Sequence, residues 1–203
     1  MTNRENMRTG QIKLLKQIGE VGAKRAAEAL SSMISTQVDV NVSDIDVLFK
    51  NTFKDSVLAP RVPCFALILE LEGKLGGNIY FIMSSAEAKL LGAALLGIAE
   101  EEINMDDVMF HSSLKEALNI IAGAYMAVLS EVTGLEVMFS VPDLKLDSHM
   151  PLVNSNRADE DETMLIKTAL RIQNRNFEGL FLFFPDLPTI NIICEGIEKN
   201  SNN

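Results

Sequence analysis

Apolar positions along this 203-residue chain recur with two different periods, and the switches between them outline its elements. Across residues 10–35, apolar or small residues fall at Leu15, Gly19, Gly22, Ala26, Ala29 and Met33, the spacing of one helix face. A short strand is predicted at 38–42, followed by a polar loop with Asn51, Thr52, Lys54 and Asp55 that closes on Pro60 and Pro63. Residues 64–72 and 78–83 are aliphatic runs joined by Gly73-Lys74-Leu75-Gly76-Gly77, which reads as a β-hairpin. A helix is predicted at 86–96, with Gly97 where a C-terminal cap favours glycine. A second long helix is predicted over 112–131.

The second half of the pattern restates the first. A shift of 99 residues carries Leu15, Lys16, Ala23, Leu30, Ser31, Val38 and Asp44 onto Leu114, Lys115, Ala122, Leu129, Ser130, Val137 and Asp143. A shift of 102 carries Leu75, Gly77, Ile79 and Phe81 onto Phe177, Gly179, Phe181 and Phe183. The expectation is an α+β fold of internally duplicated helix–strand–hairpin units, an antiparallel sheet with packed helices and pseudo-twofold symmetry. It would form one domain of two repeats, about 10–97 and 108–186, with a short tail over 187–203.

Composition narrows the chemistry. The net charge of −10 argues against a nucleic-acid partner, because a phosphate backbone demands clustered Lys and Arg. The opening residues MTNRENMRTGQIK are polar and lack the apolar core of a signal peptide, and no apolar run approaches the roughly 20 residues needed to span a bilayer. A cytoplasmic protein without membrane insertion is expected. Cys64 and Cys194 lie far apart among apolar neighbours and are expected to be buried thiols. The acidic runs at 100–102 and 159–162 read as solvated loops. His111 and His149 are the two histidines, and no His/Cys/Asp spacing suggests a metal site. Adjacency of His111 to Ser112 is no catalytic dyad, and residues 73–77 contain no phosphate-binding glycine pattern.

The helix over 112–131 holds the candidate chemistry. Leu114, Leu118, Ile121, Tyr125, Val128 and Val132 make one apolar stripe, while Ser112, Glu116 and Asn119 fall opposite, at i, i+4 and i+7. Gly123, Met126 and Ser130 are expected to extend that outward face. The stripe accounts for the core without Glu116 or Asn119, which on the wheel alone are solubilising residues.

Ser112-x3-Glu116-x2-Asn119, followed after 22 residues by Pro142, resembles the signature of the CheC/CheX/FliY phosphatases. The surrounding Leu114-Lys115-Glu116-Ala117-Leu118-Asn119-Ile120-Ile121-Ala122-Gly123-Ala124-Tyr125 and the hairpin segment Gly76-Gly77-Asn78-Ile79-Tyr80-Phe81 are similar too. The resemblance covers roughly residues 10–185. It implies hydrolysis of the aspartyl phosphate on a CheY-like response regulator, in chemotaxis-type signalling. The receiver would bring its own Mg²⁺ and Lys, and the phosphatase would need no cofactor of its own. Asn119 would position the attacking water, since its carbonyl accepts a water hydrogen while its amide donates elsewhere. Glu116 would pair with the receiver's Lys. Ser112 would cap the helix and Pro142 would fix the chain after the following strand.

The first repeat departs from this pattern. Lys13, Gln17, Glu20 and Ser43 stand where Ser112, Glu116, Asn119 and Pro142 stand in the second. One working site is expected, with Gly19, Gly22 and Ala23 keeping a close-packing role in the first helix. The alternative is a non-catalytic CheC-like protein that binds a receiver domain, a CheD-type deamidase or a flagellar-switch component.

Overall fold

The computed structural model describes residues 3–40, 46–49, 64–147, 164–172 and 177–201. Helix α1 spans Asn3–Ile34, and strands β1 (Val38–Val40) and β2 (Asp46–Phe49) follow it. The hairpin of β3 (Cys64–Glu72) and β4 (Gly77–Ser84) leads into α2 (Ser85–Leu96). After a 3-10 turn at Glu100–Glu102 the series repeats: α3 (Val108–Thr133), β5 (Met138–Phe139), β6 (Asp143–Asp147), β7 (Met164–Ile172), β8 (Phe177–Pro185) and α4 (Leu187–Ser201). The expected polar loop at 51–63 and the acidic run at 159–162 lie outside the described residues.

All pairings among the described strands are antiparallel. Their order is β1-β7-β8-β4-β3-β5, with β2 also on β7 and β6 also on β3. Read from either end, this order exchanges the two halves of the chain. The exchange has a centre, because β4 and β8 pair with Tyr80 opposite Leu182, which are 102 residues apart. That separation equals the offset between the hairpins, so a pseudo-twofold axis passes through this pair. The fold is α+β, as the duplication implied.

Period-two alternation sorts the strands' side chains. Phe65, Leu67, Leu69 and Leu71 of β3, Ile79, Phe81 and Met83 of β4, and Phe181 and Phe183 of β8 face the helices in the main core. Cys64, Ala66, Tyr80, Ile82 and Leu182 cluster separately, and all five are buried. Cys64 and Cys194 are buried and not disulfide-bonded.

Two expectations about element ends are corrected. The segment from 187 is not a tail but α4, the counterpart of α2. Asp186 Oδ1 accepts the Thr189 N–H at 2.9 Å, as Ser84 Oγ accepts the Glu87 N–H at 3.2 Å, and both cap residues and both partners are 102 apart. Ile190, Ile193 and Cys194 join the core, and Thr189 Oγ1 accepts the Gly76 N–H at 2.7 Å. The second long helix begins four residues before Ser112, because Asp107 caps it by accepting the Met109 N–H at 2.7 Å. Gly97 ends α2 in the left-handed conformation, at φ 67°, as a C-terminal cap requires.

Candidate functional site

Helix α3 lies on the sheet with α1 along one flank and with contacts to α2 and α4. Its buried side is Phe110, Leu114, Ala117, Leu118, Ile121, Ala122, Tyr125, Met126, Val128 and Leu129. The apolar stripe read from the wheel is therefore the buried side, but the buried arc is wider than the stripe. Met126, expected on the outward face, is only 3% exposed. Burial extends past the stripe on one edge only, so Met126, about 40° from the centre of the open face, is covered while Glu116, as far to the other side, is exposed.

The roll of α3 about its axis is fixed by one ring. Tyr125 stacks on Phe181 with centroids 4.1 Å apart, and on its α1 side Gly22 lies so close that a Cβ there would collide with the ring. Gly19, Gly22 and Ala23 of α1 are all buried. An Arg25–Glu131 pair then ties the two helices at the surface, with two parallel bonds of 2.7 and 2.9 Å. The Arg25 hydrogen bond holds the Glu131 carboxyl below the usual carboxylate range, and the same bond raises Arg25.

With the roll fixed, Ser112 and Glu116 are exposed and Asn119 is half-buried, all on the side of α3 away from the sheet. Glu116 and Asn119 are three residues apart and so are neighbours on one face. Ser112 does not cap the helix. It sits inside the second turn, and Asp107 holds the cap. Pro142 is buried between β5 and β6. There Phe139 opposes Leu71 and Asp143 opposes Ile68, so three residues face two and the strand bulges. Ser140 holds this bulge by donating its N–H to Glu70 at 2.9 Å and accepting the Glu70 N–H at 3.0 Å. A bulge is a place where a strand tolerates a residue without an N–H.

In α1 the equivalent positions show matching exposure. Lys13 and Gln17 are exposed and Glu20 is half-buried, while Ser43 lies outside the described residues. The backbone thus presents two similar helix faces with different chemistry.

Some residues beside the candidate pair were not singled out from the sequence. Val108 is 77% and Met109 66% exposed, one turn before Ser112, and Val141 is 84% exposed immediately before Pro142. Extending the wheel by one turn towards the N-terminus would have found Val108 and Met109, since both fall on the polar face. His111 bonds the Met105 carbonyl at 2.7 Å and so latches the loop that enters α3. A groove of about 260 Å³, floored by Ile103 and Phe110, opens beside that loop, and neither Glu116 nor Asn119 lines it. Among the described residues, no three His, Cys, Asp or Glu side chains converge where a metal ion would fit. No described helix is long and apolar enough to cross a membrane.

Comparison with known proteins places this geometry. No family model matches the sequence. The chain is 31% identical over 139 residues to the CheY-P phosphatase CheC of Bacillus subtilis, across 68% of this chain and 66% of CheC. It is 22% identical over 158 residues to the flagellar motor switch phosphatase FliY of the same organism, across 77% of this chain and 41% of FliY. The aligned stretch thus spans about two thirds of CheC and less than half of FliY. Among solved structures, FliY of Thermotoga maritima superposes with a TM-score of 0.71 at 17% identity, covering 98% of each chain. The FliM middle domain of H. pylori superposes at 0.63 and 15% identity, covering 92% of this chain and 98% of that one. At these identities the structural likenesses establish the fold.

Proposed function

Because this chain belongs to the CheC/CheX/FliY family, we propose that it hydrolyses the aspartyl phosphate of a CheY-like response regulator. The observation that carries this reading is the Glu116–Asn119 pair standing side by side on the open face of α3. A site that turns over a small molecule normally encloses it in a cleft. Among the described residues, neither Glu116 nor Asn119 lines the groove beside the start of α3, which suits a substrate that brings its own pocket. A phosphorylated receiver domain does so, with Mg²⁺ and a Lys already neutralising the phosphoryl oxygens.

What remains for this chain is placement. Asn119, half-buried and therefore restricted, accepts one hydrogen of a water through its side-chain carbonyl and directs the oxygen along the line opposite the leaving carboxylate. Fixing one water in line accounts for several kcal/mol of barrier lowering in reactions of this type. Glu116 pairs with the receiver's Lys and sets the angle of docking. Pro142 holds the bulged strand beside α3, and Ser112 keeps the approach to Glu116 small.

A second reading is a scaffold in a flagellar switch that binds partners without turnover, a CheD-type deamidase among them. It draws on the likeness to the FliM middle domain and on the family motif being missing from α1. An intact Glu116 with Asn119 favours the phosphatase. The test is the decay of a phosphorylated CheY-type receiver with and without this chain. Accelerated decay is expected, and a receiver that binds yet decays at its own rate would favour the scaffold.

A further inference from the structure

Nine glycines have described surroundings, and eight of them have a reason within the fold. Gly73, Gly77, Gly97 and Gly134 adopt positive φ, and a Cβ on Gly22, Gly76, Gly92 or Gly196 would strike a neighbouring residue. Gly123 differs. It lies in the interior of α3, with no positive φ, and apart from its chain neighbours and the helix's own backbone no atom of the described residues lies within 4 Å of a Cβ built there. Apart from proline, glycine is the residue least suited to a helix interior, and alanine would serve folding better. Among the described residues nothing packs where the side chain would be.

Gly123 sits four residues after Asn119 and so shares its face, and the exposed Ala127 continues the same flat strip one turn further on. On the other side of Glu116 that face carries the exposed side chains of Val108 and Met109. The site is thus bulky and apolar at one end and bare at the other. We propose that Gly123 is the position where the receiver comes closest to α3, its missing side chain admitting the receiver surface that borders the phosphoaspartate. This rests on the phosphatase reading. It makes Gly123 a positioning residue that sets the depth of docking, and hence the reach of Asn119 to the phosphoryl group.

The test compares Gly123→Ala and Gly123→Leu with the wild type in three measurements. These are the melting temperature, the affinity for the beryllofluoride-activated form of a CheY-type receiver, and the rate of receiver dephosphorylation. Gly123→Ala should raise the melting temperature by about 2–4 °C. Gly123→Leu should fold normally, yet bind the activated receiver and speed its dephosphorylation roughly 10- to 100-fold less well, as expected when docked groups are displaced by about an ångström. A lower melting temperature in Gly123→Ala would reveal a packing reason inside the chain and overturn the proposal. Unchanged affinity in Gly123→Leu would overturn it as well. A wild-type chain that binds the activated receiver without speeding its decay refutes the phosphatase reading alone, and the affinity comparison still decides the role of Gly123. One that binds no receiver overturns both.

Discussion

Helices α1 and α3 occupy equivalent places about the pseudo-twofold axis, and their outward faces carry different residues at positions of matching exposure. Lys13 and Ser112, Gln17 and Glu116, and Glu20 and Asn119 match in exposure pair by pair. The buried sides instead interlock: Tyr125 of α3 fills the space that Gly22 of α1 leaves open. Folding constrains the interlocked side and is nearly indifferent to the outward one. A duplicated scaffold can therefore lose the chemistry of one copy at little cost in stability. At the Asn position α1 offers a carboxylate, which cannot donate a hydrogen bond and would face an anionic phosphoryl group. At the Glu position it offers an amide, which forms no ion pair with a Lys.

The largest effect is expected at Asn119. In Asn119→Ala, accelerated dephosphorylation should fall by about 100-fold or more, while receiver affinity and melting temperature stay near wild type. Glu116→Ala should weaken receiver binding roughly tenfold and slow turnover with it, because a charge pair across the interface is lost. Titration of the activated receiver measures the first effect, and single-turnover decay the second. On the interlocked side, Gly22→Val should destabilise the fold by about 1–3 kcal/mol, since Tyr125 is held by Phe181 and has little room to retreat. A denaturant midpoint equal to wild type would show that the α1–α3 contact is looser than described.

The smallest effect concerns the surface tie. The bonded Glu131 carboxyl titrates below its ordinary value of 4.5, so its contribution is complete above that pH and is lost as the pH falls through the lowered value. Glu131→Gln should therefore be slightly less stable than wild type at neutral pH, with the gap closing below about pH 4.5. The gap is small because both side chains are well exposed, at 39% for Arg25 and 60% for Glu131. Thermal melts at pH 7 and pH 3.5 measure it.

Much of this was legible in the sequence, and the rest was not for identifiable reasons. The hairpin strands, the Gly97 cap and the stripe of α3 follow from period and turn chemistry, which are local. The 102-residue shift made Tyr80 and Leu182 equivalent positions, but that the two also pair across the axis is a fact of the sheet. The start of α3 at Asp107 carried a cap signal, but it stood one turn before the apolar stripe and was outweighed by Ser112. Helix α4 was announced by Asp186 and Pro188, a cap residue followed by a first-turn proline. A 102-residue shift of Ser84 onto Asp186 would have found it. Burial of Met126 and the Arg25–Glu131 tie depend on how neighbouring helices sit, which no window of a single helix contains. Gly123 was visible as a glycine on the outward face, but that no side chain of the described residues packs on it is a fact of three dimensions.

A matched pair of variants tests directly whether one site works where two similar helix faces are built. Asn119→Ala and Glu20→Ala change equivalent positions of equivalent helices, so any general effect of truncation on the fold is shared between them. Each is assayed at equal concentration for the initial rate of dephosphorylation of the same phosphorylated receiver. The account predicts the receiver's own decay rate for Asn119→Ala and the full wild-type rate for Glu20→Ala. A several-fold slower rate for a normally folded Glu20→Ala, or wild-type activity in Asn119→Ala, would contradict it.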